Sequence, residues 1–121
     1  MVHTVETLLR ENMHGVFGEP DAEKRREKIA SIWAEDGVFI DPEGRSEGRS
    51  AVDRAAAAVL GRFPGFKFTE RGLVQASIGV GRLEWAFGPA GGEAVLTGTD
   101  VLVMKGDLIG AVYTFVDPPK E

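Results

Sequence analysis

GTDVLVMKGDLIGAVYTFVD, residues 98–117, contains two apolar runs on either side of a Lys-Gly-Asp turn. β-Branched and aromatic runs separated by a glycine-containing turn predict a β-hairpin, here with strands near 94–105 and 108–116. In both runs, successive residues are apolar, so each strand carries apolar side chains on both of its faces, and both faces must be shielded from water. Helices can supply the cover on one face, and a dimer partner or a pocket can supply it on the other.

Further strands are predicted upstream of this hairpin. Glycine turns bound β-branched and aromatic runs near 66–78 and 81–88. A shorter strand at 38–40 ends at Asp41-Pro42, because proline removes a ladder donor. The following EGRSEGRS, residues 43–50, is rich in glycine and serine and is predicted to be a loop.

Three helices are predicted before the long strands. The second begins near Pro20 and stops at Gly37, and the third runs from Ser50 through Arg62, with Asp53 completing a capping-box-like start. Helices first and antiparallel strands last predict an α+β fold with the helices on one face of a curved sheet. The apolar faces that define the first two helices are Val5, Leu8, Leu9, Met13 and Val16, then Ile29, Ile32 and Trp33.

Length and charge restrict the function classes. A chain of 121 residues predicts one domain over residues 1–121. The net charge of −5, from 14 Lys plus Arg against 19 Asp plus Glu, argues against nucleic acids and anionic membranes as partners. No apolar run has the length of a signal peptide or a membrane span, and cysteine is absent, so we expect a cytoplasmic protein without disulfides.

Sequence motifs for cofactors and metals are missing. The chain has no phosphate loop, no GxGxxG after a strand, no HExxH and no GxSxG. The two histidines, His3 and His14, are eleven residues apart and lack a nearby third ligand. We therefore expect neither a metal nor a cofactor.

Two aspartates stand out by their context. Asp41 follows the strand 38–40, and a carboxylate held among apolar side chains could act as a general base. The alternative for Asp41 is an Asp-Pro turn in which the carboxylate accepts local backbone hydrogen bonds. Asp100 precedes the apolar run 101–104, so it should be paired, hydrogen-bonded, protonated or facing a wet cavity. A structural hydrogen bond or a dimer contact is the alternative for Asp100.

The large apolar side chains supply either the core or a pocket lining. Alternation places Leu83, Trp85 and Phe87 on one face of their strand. It also places Ala111, Tyr113 and Phe115 together on the last strand, and the Tyr113 hydroxyl could donate to a ligand.

Four segments of the sequence, taken in their order along the chain, resemble a known family. WAEDGVFIDP (33–42), EGRSAV (47–52), GRLEWAFGP (81–89) and residues 98–117 resemble the SnoaL-like branch of the nuclear transport factor 2-like superfamily. The resemblance implies a cone-shaped α+β barrel, in which a curved antiparallel sheet is wrapped by three N-terminal helices around a pocket. It also implies a small-molecule ligand and a homodimer formed through the outer sheet face.

Individual residues of this chain can be compared with the functional residues of the ketosteroid isomerases, which belong to this superfamily. Asp41 lies where they have a general-base aspartate, and Asp100 lies where they have the protonated acid of the oxyanion hole. The first helix here lacks their oxyanion-hole tyrosine, and its nearest polar candidates are Asn12 and His14. The resemblance thus implies two catalytic residues, Asp41 and Asp100. The candidate ligand-binding residues are Trp33, Phe39, Leu83, Trp85, Phe87, Tyr113, Phe115 and His14.

Three interpretations of function stay open at this point. The first is an isomerase, cyclase or hydrolase in which Asp41 moves a proton on a small apolar or oxygenated organic substrate, while Asp100 with Tyr113 or His14 stabilises charge on oxygen. The second is a non-catalytic module that binds a small ligand. The third is a structural dimer with a filled core.

Overall fold

The computed structural model describes residues 3–118 as three α-helices, one π-helical segment and a six-stranded sheet. The chain passes through most of the helices before the long strands, as the sequence predicts. The elements are α1 Val5–Asn12, the π-helical segment Met13–Phe17, α2 Ala22–Ile32, β1 Trp33–Asp41, β2 Gly44–Glu47, α3 Arg49–Arg62, β3 Phe66–Ser77, β4 Val80–Pro89, β5 Leu96–Lys105 and β6 Leu108–Val116.

The sheet has the order β2-β1-β6-β5-β4-β3. The predicted hairpin is confirmed as β5 and β6, which pair antiparallel with Val101 opposite Tyr113. All neighbouring strands are antiparallel except β1 and β6, which run parallel. The α+β class and the curved sheet are therefore confirmed, and the antiparallel prediction is corrected at this one pair.

The second helix ends earlier than its apolar periodicity suggests. Helix α2 stops at Ile32, and Trp33 takes extended backbone angles and begins β1. Trp33 pairs with Ile109 of β6, and its fully buried indole Nε1 donates to Asn12 Oδ1 at 2.9 Å. These tertiary contacts favour the strand over the helix at a residue that fits either pattern.

The predicted loop at 43–50 is wrong in part, because it contains β2. Ser46 pairs with Phe39 although the segment has few residues that favour strands. The open edge of β1 supplies the backbone partners, and pairing with an edge depends little on side chains. The third helix then starts from Gly48 and not from a Ser50 capping box.

Asp53 joins two helices instead of capping one. Its carboxylate accepts from Arg25 Nε at 2.6 Å and from Arg26 Nε at 3.0 Å, which ties α3 to α2. Desolvation acts to raise the pKa of Asp53, but the hydrogen bonds and charges of the two arginines outweigh it and lower the pKa. These two ion pairs of Asp53 fix α2 and α3 relative to each other on the sheet.

The helices cover one face of the sheet only. Their apolar side chains pack against inward residues of the strands, including Leu102 and Ile109, which have no exposed surface. Tyr113 and Phe115 point away from the helices and are 40% and 59% exposed. Within residues 3–118, no helix is long and apolar enough to cross a membrane.

Gly98 is required by close packing at the centre of the sheet. It lies opposite Trp85 in the register between β4 and β5. A Cβ at this position would collide with the Trp85 ring and with the carbonyl oxygen of Phe115. By contrast, a Cβ at Gly61 in α3 would meet no atom within 4 Å.

We expect Gly98→Ala to lower the free energy of unfolding by about 2–3 kcal/mol, because backbone and a packed ring must both move. Gly61→Ala is the matched control and should raise it by about 0.5 kcal/mol through helix propensity. Urea unfolding followed by circular dichroism measures both. Equal stability of the two variants would contradict the packing argument.

Candidate functional site

A cavity of about 330 Å³ opens between the concave face of the sheet and the helices. Most of its wall is apolar and most of that is aromatic. The apolar lining residues are Met13, Phe17, Phe39, Pro42, Val59, Phe63, Phe68, Trp85, Phe87, Leu96 and Val116, and the polar ones are Asp41, Glu43, Arg62, Asp100 and Thr114.

The aromatic wall is a connected cluster of rings. Phe68 stacks on Phe87 with 4.2 Å between centroids, and Phe63 meets Phe87 edge-on at 5.5 Å. Phe68 also contacts Trp85 edge-on, at 5.5 Å. Each ring restrains its neighbours, so the cavity is a preformed apolar site of the size that small organic ligands occupy.

Asp100 brings a carboxyl group to this apolar wall. It projects from β5 and is only 9% exposed. Its Oδ1 accepts two hydrogen bonds, from Trp85 Nε1 at 3.0 Å and from Thr114 Oγ1 at 2.7 Å. Its Oδ2 has no partner among the described residues. Since every fully buried polar side-chain atom there is partnered, Oδ2 is accessible from the cavity that Asp100 lines.

Burial changes the acidity of Asp100. Desolvation raises the pKa of its carboxyl to about 6, although the hydrogen bonds from Thr114 and Trp85 act in the opposite direction. A carboxyl with this pKa exchanges its proton near neutral pH. The cavity therefore holds one group that is suited to general acid–base chemistry.

Asp41 lies at the end of β1 and lines the same cavity. Its Oδ1 accepts from the backbone N–H groups of Glu43 at 3.0 Å and Gly44 at 3.2 Å. The Asp-Pro turn considered from the sequence is thus present. It does not remove the carboxylate from the cavity lining, so the structure places Asp41 and Asp100 around one space.

An ion pair lies at the rim of the cavity. Arg62 at the end of α3 donates through Nη1 to both carboxylate oxygens of Glu43, at 3.0 and 2.9 Å. Both side chains are exposed and both line the cavity. The guanidinium charge is therefore already compensated by a carboxylate of the protein.

Five of the ten residues predicted for the site line the cavity: Phe39, Asp41, Trp85, Phe87 and Asp100. Trp33 and Leu83 are instead fully enclosed in the core. The first helix packs over the start of β4, where Val5 meets Gly81, so Leu83 lies beneath α1. Trp85 and Phe87 are farther along the strand and reach the cavity.

The structure corrects the predicted site at three residues, Tyr113, Phe115 and His14. Tyr113 and Phe115 do share a face of β6, but it is the outer one, and Thr114 lines the cavity from the other face. His14 lies on the exterior with its Nε2 3.0 Å from Glu70 Oε2. None of the three lines the cavity, so none can donate to a ligand inside it.

Several lining residues were not predicted from the sequence. Thr114 and Phe68 could have been found by alternation, since Thr114 shares its parity with the buried Val112 and Phe68 follows Phe66 at a spacing of two. Met13 and Phe17 come from the π-helical segment, which no sequence pattern indicated. Among residues 3–118, no three His, Asp or Glu side chains converge to form a metal site.

Comparison with known proteins supports the assignment of the fold. A family model described as SnoaL-like domain matches residues 13–112. A SnoaL-like family protein from Agrobacterium tumefaciens, proposed to be an isomerase, is 27% identical with a TM-score of 0.88, over 94% of this chain and 97% of that one. No curated protein matches significantly.

Two other solved structures share the fold at lower identity. A protein from Kribbella flavida, proposed to be a ketosteroid isomerase, is 22% identical with a TM-score of 0.74, over 97% of this chain and 80% of that one. A de novo designed protein with a curved β-sheet is 16% identical with a TM-score of 0.73, over 94% and 85%. A designed protein within this set illustrates that the fold alone does not define an activity.

The raised pKa of Asp100 predicts a pH-dependent stability. The folded protein binds this proton more tightly than the unfolded chain, whose aspartate pKa is near 3.8. The contribution of Asp100 to the free energy of unfolding should therefore fall by about 2–3 kcal/mol between about pH 4 and pH 6. Urea unfolding at each pH measures it as the difference between the wild type and Asp100→Asn.

Asp36 is the control, because its contribution to the free energy of unfolding should change with pH in the opposite direction. The hydrogen bond from Lys105 lowers the pKa of Asp36, so its contribution should be lost as the pH falls. A difference curve for Asp100→Asn that is flat, or that slopes like that of Asp36→Asn, would show that Asp100 is not desolvated.

Proposed function

The chain belongs to the SnoaL-like domain family, and from that premise we propose that it binds a small, mainly apolar or partly oxygenated organic molecule and transfers a proton on it. The proposed activity is of the isomerase, cyclase or hydrolase type. The observation that carries the proposal is the accessible Oδ2 of Asp100 in a mainly apolar cavity.

Asp100 is the proposed proton carrier. Its pKa of about 6 leaves most molecules ionised at neutral pH, yet makes the carboxylate a stronger base than an ordinary aspartate. Trp85 and Thr114 hold Oδ1, so Oδ2 has a fixed position toward the ligand. Such positioned proton transfer contributes on the order of 100- to 10,000-fold in rate.

Asp41 is the proposed second acid–base group. It lines the same cavity but adjoins the exposed Pro42 and Glu43, where water competes for its carboxylate. Tyr113 and His14 lie outside the cavity, so they do not stabilise charge on a ligand oxygen there. We therefore expect Asp100 to contribute more to the rate than Asp41.

A proton-transfer probe tests this proposal without knowledge of the natural substrate. In nitrobenzisoxazole, a base removes the ring C–H proton, the N–O bond breaks and a coloured cyanophenolate forms. We expect catalysis that increases as the pH rises through about 6, since the ionised carboxylate is the base. Asp100→Asn should lower kcat/KM by about 100-fold, and Asp41→Asn by less.

Asp36→Asn is the matched control, because it removes a carboxylate outside the cavity lining. It should leave the rate unchanged. A rate no higher than that of free acetate would contradict the enzymatic proposal. Ligand binding without catalysis would then favour a non-catalytic ligand-binding module.

We also propose that the outer face of the sheet forms a homodimer. The exposed Phe115 and Tyr113 of β6 lie beside Thr99 and Val101 of β5 in the strand register. Val103 continues this apolar surface at 38% exposure. A second copy would supply the apolar cover that the helices leave missing on this face.

Phe115→Glu should convert the dimer to a monomer, because each interface would bury two unpaired carboxylates. Ile78→Glu is the control at a residue that is 99% exposed in the turn between β3 and β4. Sedimentation velocity measures both variants, and circular dichroism verifies the fold. A wild type that sediments as a monomer at 100 micromolar would contradict the proposed dimer.

A further inference from the structure

The charges around the cavity are unbalanced. Three carboxyl groups line it, those of Asp41, Glu43 and Asp100, against the single guanidinium of Arg62. Arg62 is paired with Glu43, which leaves Asp41 and Asp100 without a cationic partner in the lining. Among residues 3–118, no lysine or histidine lines the cavity. When ionised, these groups give the space a negative potential, in a chain whose net charge is already −5.

Asp100 supplies a specific contact as well as a potential. The residue is nine-tenths buried, and its Oδ2, which has no partner among residues 3–118, is accessible from the cavity that Asp100 lines. In both of its hydrogen bonds Oδ1 is the acceptor, from Trp85 Nε1 and from Thr114 Oγ1, and such bonds stabilise the ionised form of the carboxyl. The carboxylate thus has one oxygen fixed and one oxygen available to a donor from a ligand.

The aromatic wall of the cavity lies next to Asp100. Six rings line the cavity, and one of them, Trp85, whose Nε1 donates to Asp100 Oδ1, is in edge-on contact with Phe68. The face of an aromatic ring attracts a cation, most strongly where water is excluded. An apolar body and an ammonium group would therefore both find complementary surface.

We propose that the cavity selects organic amines in their ammonium form, with the nitrogen donating to Asp100 Oδ2 and the apolar body lying against the aromatic wall. This inference rests on the proposed function, since it names the ligand class of the same cavity. Carboxylate ligands of equal size are disfavoured by repulsion from Asp41 and Asp100.

Neutral oxygen ligands provide the competing chemistry, and pH separates the two. An ammonium requires ionised Asp100, so its affinity rises as the pH rises through about 6. A ketone, which can only accept a hydrogen bond, requires the protonated acid at Asp100, so its affinity falls over the same range, whereas an alcohol can bond to either form of the carboxyl. The other titratable groups that line the cavity, Asp41 and Glu43, carry the same sign of charge as ionised Asp100 and also favour the ammonium.

The test is isothermal titration calorimetry with three probes of one shape: naphthylmethylamine, naphthalenemethanol and naphthoate. At about pH 8 we expect the amine to bind at least 10-fold more tightly than the alcohol, and naphthoate to bind most weakly. At about pH 5 the preference for the amine should shrink to 3-fold or less. Near pH 6, amine binding should release protons to the buffer, because pairing stabilises the ionised carboxylate.

Asp100→Asn should remove the preference for the amine while retaining binding of the alcohol, and Asp36→Asn should change neither. An alcohol that binds as tightly as the amine at about pH 8, or proton uptake on amine binding, would overturn the inference. Those results would leave the proposed function intact, since the cavity would still bind an apolar ligand. Absence of binding by all three probes would overturn both.

Discussion

The site depends on one packing constraint between two strands. Trp85 lies opposite Gly98, and only a residue without a side chain leaves room for the indole there. Two residues after Gly98, on the same face of β5, Asp100 accepts from the indole nitrogen. A single strand register thus places an apolar wall, a hydrogen-bond donor and a carboxyl group together. A shift of β5 by one residue would turn the Asp100 carboxyl to the opposite face of the sheet, away from the cavity and from Trp85 Nε1.

The placement of Asp100 opposes stability, which distinguishes it from the other buried acid. Asp53 is buried against Arg25 and also accepts from the exposed Arg26, and these partners outweigh desolvation and lower its pKa. Within the described part of the chain, Asp100 has two neutral donors and no cation, so desolvation prevails and its pKa rises. A group that serves only the fold would gain from a cationic partner. The absence of one in the lining beside Asp100, with one oxygen left accessible, is the arrangement expected of a carboxyl that acts on a ligand.

The sequence predicts most of the fold and about half of the site. The long strands follow from β-branched runs between glycine turns, a local signal that the structure confirms. Trp33 and β2 were missed because partners distant in sequence decide them: Ile109 and Asn12 for the indole, and the open edge of β1 for β2. In the site, Asp41 and Asp100 lie around one cavity as the resemblance implies, whereas His14 lies outside it.

Strand β6 shows why alternation alone cannot locate a cavity. Its odd positions carry Tyr113 and Phe115, which look like core residues, while the intervening Thr114 looks like a surface residue. The structure reverses both assignments, since Thr114 points inward to donate to Asp100 and the two rings point outward. A polar residue is stable on the inner face only when it has a partner there, and Asp100 is that partner. A buried acid on one strand therefore changes the pattern expected on its neighbour, and in this hairpin the two opposed polar residues, Asp100 and Thr114, both line the cavity between sheet and helices.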